Sequence, residues 1–145
     1  MDQKGVDERE ETLFQKIQRM PTAEKIRLAS RADKELRNLL IRDADRTVQL
    51  AVVGNPRITD SEITSIANSR NVNEEVLRKI GSSREWLKLY PVRVSLVQNP
   101  KTPVTIALKL LQTLMQKDLR VVAKSKNVSN TVARVALRYV SKREG

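Results

Sequence analysis

Apolar residues fall in short bursts along the chain, separated by compact polar turns. In the last burst Val132, Val135, Ala136, Tyr139 and Val140 recur at i, i+3, i+4, i+7 and i+8, which is one buried stripe on a helix. Val76, Leu77 and Ile80 form a shorter stripe, as do Ile63, Ile66 and Ala67. Val104 to Met115 is apolar almost all round, broken mainly by Lys109 and Gln112, so it reads as a helix covered on several sides. The run "AEKIRLASRADKELRNLLIRD" carries Ile26, Ala29, Leu36, Leu39 and Leu40 and reads as two helical pieces. "VQLAVV" and "VRVSLV" are rich in β-branched residues, and taken alone either suits a strand. They are short and no hairpin turn joins them, so the reading here is helical.

The turns repeat. "VQLAVVGNPR" returns as "VRVSLVQNPK", so that Val53, Asn55, Pro56 and Arg57 match Val97, Asn99, Pro100 and Lys101 at an offset of 44. "ANSRNVNEEVLRKI" (67–80) returns as "AKSKNVSNTVARVA" (123–136) at an offset of 56. Unequal offsets indicate an irregular repeat of short helical units. Asn-Pro ends one helix because proline drives the residue before it out of the helical region. The next helix then starts on a cap. Thr59 with Glu62 spells a capping box. Thr102 is the expected cap of the following copy, with Pro103 in the first helical position. Asn73 and Ser129 are the expected caps of the second duplicated pair.

Short apolar helices divided by an Asn-Pro-x-x-Pro/Asp turn, best spelled by Asn99-Pro100-Lys101-Thr102-Pro103 and more loosely by Asn55-Pro56-Arg57-Ile58-Thr59, resemble the α-solenoid repeats of the leucine-rich-repeat-variant and HEAT-like type. The likeness covers residues 45–140. It implies an all-α fold, with short irregular helical repeats stacked as a right-handed α-solenoid. It also implies a curved, non-catalytic surface that holds proteins or nucleic acids. One domain is expected over residues 12–145, preceded by a disordered acidic tail at residues 1–11, since no Gly/Ser or Pro linker interrupts the chain. Repeats of this kind bury their apolar faces against neighbours and leave an extended outer surface.

Composition narrows the chemistry. The 145 residues include no histidine and no cysteine, which removes the usual general base, the thiol nucleophile and most transition-metal ligands. No enzyme, cofactor or metal site is expected, and no small-molecule substrate is evident. No apolar stretch is long enough to span a bilayer, and the charged start "MDQKGVDEREE" lacks the core of a signal peptide. A soluble cytoplasmic protein is therefore expected.

The formal net charge of +11 is uneven. Residues 91–145 hold eleven basic and two acidic side chains. Lys117, Arg120 and Lys124 lie at i, i+3 and i+7, with Lys126 at the following turn, and Arg134, Arg138 and Lys142 lie at i, i+4 and i+8. Two adjacent cationic rows suit carboxylates or phosphates, although basic residues opposite an apolar stripe also describe any solvated helix face. The expected role is an adaptor that recognises an acidic protein partner. The alternative is a nucleic-acid-binding protein gripping backbone phosphates. Helical repeats with basic surfaces also occur in DNA glycosylases, but four aromatic residues (Phe14, Trp86, Tyr90 and Tyr139) make a thin base-holding pocket. Trp86 and Tyr90, four residues apart, are a candidate aromatic contact if one helix presents both, with core packing as the plainer role. Asp60, Glu62, Glu74 and Glu75 read as helix-start charges rather than a carboxylate site.

Overall fold

The computed structural model describes residues 12–145. The expected disordered tail lies outside these residues. The described residues form eleven helices and no strand: α1 Leu13–Gln18, α2 Thr22–Arg31, α3 Lys34–Leu40, α4 Arg46–Val53, α5 Asp60–Ala67, α6 Glu74–Gly81, α7 Arg84–Leu87, α8 Tyr90–Gln98, α9 Val104–Leu111, α10 Gln116–Lys124 and α11 Asn130–Glu144. The fold is all-α.

The valine-rich runs are helices. α4 buries Val48, Gln49, Val52 and Val53, and α8 buries Val92, Leu96 and Val97. Both patterns step by four residues, where a half-buried strand would bury alternate positions. β-Branched residues fit because tertiary burial outweighs their small loss of helix propensity.

Caps set the helix starts. Thr59 accepts from the Glu62 N–H while Glu62 Oε2 accepts from the Thr59 N–H at 2.8 Å, closing the capping box. Asn73 and Ser129 accept from Glu75 and Val132. The second Asn-Pro copy departs from expectation. Pro103, not Thr102, is the N-cap of α9: its ψ is 133°, and its carbonyl accepts from Ile106 and Ala107 at 3.0 Å. Thr102 is held back in the turn by its own N–H, which donates to the Asn99 carbonyl at 3.1 Å. Its hydroxyl is buried with no hydrogen-bond partner among the described residues. The helix expected over 104–115 also stops at Leu111, and Met115 becomes the N-cap of α10.

The chain divides into two compact units, one running to Arg57 and one from Ile58 to Gly145. Within the first, α2 packs against α4, with α3 touching both. Within the second, α5 packs on α8 and α9 on α11, while α10 packs extensively along α11. In each of these three sets the first helix packs on the last.

A latch recurs in the three sets. Asn55, just past α4, donates both Nδ2 hydrogens to the carbonyls of Ala29 and Ala32, at 2.9 and 3.0 Å. Asn99, at the end of α8, donates to Ala67 and Ser69 at 2.9 and 2.7 Å. Each asparagine also accepts from the N–H two residues on, Arg57 or Lys101, which shapes the Asn-Pro turn. In the third set Arg143 takes the role. Its guanidinium donates to Gln112 and Leu114 at 3.1 and 2.7 Å, just beyond the end of α9. The first helix of each set thus has its orphan C-terminal carbonyls satisfied by a side chain from the end of the last. Asn55 and Asn99 are buried, so a missing amide would leave those carbonyls desolvated and unpaired.

Candidate binding surface

The two cationic rows lie on α10 and α11. The α10 helix buries Leu119 and Val122, so Lys117, Arg120 and Lys124 fall on the opposite, exposed side. On α11, burial of Val132, Ala136 and Val140 leaves Arg134, Arg138 and Lys142 exposed. Lys126 is exposed in the connecting turn. All seven side chains therefore stand at the surface of one helical hairpin.

They are not equivalent. Arg120 is committed: its Nε donates to Glu144 Oε1 at 2.9 Å, with a second bond from Nη2. Arg120, then Gln116, hold the Glu144 carboxyl below the usual carboxylate range by hydrogen bonding. The other carboxylate of this segment, Asp118, accepts from the Tyr90 hydroxyl. With both acidic groups engaged, Lys117, Lys124, Lys126, Arg134, Arg138 and Lys142 make no ion pair among the described residues.

Apolar side chains are interleaved with these cations. Val121 and Leu137 are each 54% exposed. Val121 lies four residues after Lys117 and three before Lys124, hence on the same face of α10. Leu137 lies three residues after Arg134 and seven before Glu144. Leu137 thus lies on the edge of α11 that carries Glu144, the partner of Arg120. Neither exposed apolar residue was among the expected site residues; only the surface pattern singles them out.

Trp86 and Tyr90 do not share a helix. Trp86 belongs to the four-residue α7 and Tyr90 opens α8, with a break at Lys88 and Leu89. Trp86 is half-buried. Tyr90 is an internal tie, with its hydroxyl donating to Asp118 and accepting from the Met115 N–H at 2.9 Å, so that it fastens the start of α8 to the start of α10. The Arg93 guanidinium lies 5.2 Å from its ring centroid. Burial, then the bond to Asp118, push the Tyr90 phenol above its ordinary value.

The structure also draws the second duplicated phrase together. Asn68 and Arg70 from the α5–α6 turn, Ser125 and Asn127 from the α10–α11 turn, Gln98 and Asn99 from the end of α8, and Val121 line an open cavity of about 260 Å³. The duplicated sequence marks a repeat and its helix starts, but nothing in it reports that the two turns meet. Among the described residues no helix is long and apolar enough to cross a membrane. Comparisons with protein-family models, curated proteins and solved structures give no match.

Proposed function

We propose that this protein is a non-catalytic helical-repeat module of the α-solenoid, HEAT-like kind, and that the outer face of α10 and α11 recognises an acidic protein partner. Support for the repeat reading comes from the duplicated Asn-Pro turns and from a first-to-last helix latch occurring three times. Support for the partner class rests on one observation: six cations without carboxylate partners stand on the same helical hairpin as two solvent-facing aliphatic side chains. An acidic segment carrying apolar residues complements both features. Its carboxylates pair with Arg134, Arg138, Lys124 and Lys142, and its aliphatic side chains cover Val121 and Leu137. A phosphate backbone has no use for Leu137, which is why the protein partner is preferred over nucleic acid.

The test is a titration of the full chain with a fluorescent peptide of alternating Glu and Leu, in parallel with a labelled DNA duplex. The peptide is expected to bind, and Leu137→Ser is expected to weaken it several-fold while leaving duplex affinity unchanged. Replacing Arg134, Arg138 and Lys142 together by Glu is expected to weaken the peptide at least tenfold. Duplex binding tighter than peptide binding, with a steep salt dependence and no response to Leu137→Ser, would reverse the assignment.

A further inference from the structure

Beyond the extended face of α10 and α11 lies the cavity of about 260 Å³ at one end of the second unit. Two copies of one turn border it. In the first, Ser69 Oγ accepts from the Asn71 N–H at 3.2 Å; in the second, Ser125 Oγ accepts from the Asn127 N–H at 3.1 Å. Each turn carries an exposed cation at its middle residue, Arg70 or Lys126. Arg70 lines the cavity, and Lys126 stands between two lining residues. The floor is fixed, because Asn99 holds the Ser69 carbonyl at 2.7 Å and so pins the turn that presents Arg70.

Four of the polar lining residues are unused, whereas Asn99 and Ser125 are engaged in the turns. The side chains of Asn68, Arg70, Gln98 and Asn127 make no hydrogen bond or ion pair among the described residues. An Arg guanidinium supplies five N–H donors and each primary amide two more, and no carboxylate lines the cavity to compete for them. Donors in such excess outnumber what a single carboxylate accepts, but suit the three terminal oxygens of a phosphate monoester. The cavity has room for more than the phosphate itself, and the amide oxygens of Asn68, Gln98 and Asn127 are acceptors for polar groups on the body that carries it. We propose that this cavity is a phosphate-monoester site, in which Arg70 grips the phosphate, the three amides complete its contacts, and Lys126 adds long-range attraction. This inference shares Val121 and Lys126 with the acidic-partner face, but it rests on Arg70 and the amides of Asn68, Gln98 and Asn127, which lie outside that face, and so does not depend on that reading.

Two sources carry that chemistry, a phosphorylated side chain of another protein and a free mononucleotide. The experiment follows the side-chain amide NMR signals of Asn68, Gln98 and Asn127 while the full chain is titrated with three probes. These are inorganic phosphate, a neutral peptide bearing one phosphoserine, and adenosine monophosphate; the unphosphorylated peptide and adenosine are controls. A saturable shift of those signals by a phosphate-bearing probe, absent with its control and weakened at least tenfold by Arg70→Gln, supports the site. The tighter of the phosphopeptide and the nucleotide identifies the source. Reversing Arg134, Arg138 and Lys142 is expected to leave these shifts in place, which separates this site from the acidic-partner face. Absence of a saturable shift with all three probes overturns the proposal, as does binding that Arg70→Gln leaves unchanged.

Discussion

Asn55 and Asn99 each do three things at once, and the energetic consequence is local and large. Asn99→Ala would leave the carbonyls of Ala67 and Ser69 without their donor and free the Lys101 N–H. A loss of about 2–4 kcal/mol is expected, read as a fall in urea midpoint, whereas Asn68→Ala at an exposed position should change it little. Tyr90 offers a pH-dependent check. Its folded phenol holds its proton more tightly than the unfolded chain's does. That contribution to stability is therefore fully present below about pH 10 and is lost as pH rises through the raised folded value. Tyrosinate absorbance of the native protein minus that of Tyr90→Phe should show an ionisation above the ordinary phenol range; one at or below it would refute the tie to Asp118. At this scale the asparagines were legible as turn residues because their bond to the N–H two residues on is local. Their carbonyl partners lie 23 to 32 residues away, and no periodicity reports such a pairing. Arg143 was hidden for the same reason: among so many cations, nothing in its spacing separates a latch from a solvated charge.

Helix starts and packing faces are set by short-range rules, which is why most elements could be read before the structure. Thr59→Ala removes the side-chain half of a closed capping box, and about 1 kcal/mol of destabilisation is expected by chemical denaturation. Where a start depends on competition, local rules fail. Thr102 has the right chemistry for a cap, yet Asn99 folds the turn tightly enough that Pro103 takes the N-cap position with no side-chain hydrogen bond. Close approach between helices is likewise invisible in the sequence. A Cβ added to Gly81, the last residue of α6, would lie 2.8 Å from Ile106 Cγ2 on α9. Ile106 is β-branched and stiff at χ1, so Gly81→Ala should destabilise by about 1–3 kcal/mol despite alanine's better helix propensity. A thermal midpoint equal to or above that of the native chain would show that the helices can part without penalty.

At the level of the whole molecule, the asymmetry of charge matters more than any one residue. Both carboxylates of residues 91–145 are consumed internally, Asp118 by Tyr90 and Glu144 by Arg120 and Gln116. The Arg120–Glu144 pair is 53% and 47% exposed, so breaking it should barely alter stability. By contrast, Lys25 and Asp43 in the first unit meet at 2.6 Å with side chains only 11% and 9% exposed. Asp43→Ala, which strands a shielded ammonium, is expected to lower stability by about 3 kcal/mol. The cationic rows were legible because i, i+3, i+4 and i+7 spacing maps directly onto a helix face. Their interleaving with Val121 and Leu137 was not, since exposure of an aliphatic residue depends on what the neighbouring helix leaves uncovered. The cavity between the two Ser-cation-Asn turns was illegible too, because sequence identity between distant loops does not say that they meet.

The most direct measurement of the acidic-partner reading is amide hydrogen exchange on the full chain, with and without a saturating Glu/Leu peptide. Protection gained along α10 and α11, centred on Val121 and on Arg134 to Lys142, is the expected footprint. Protection confined to α2–α4, or no change anywhere at a concentration where the peptide is bound, would contradict it.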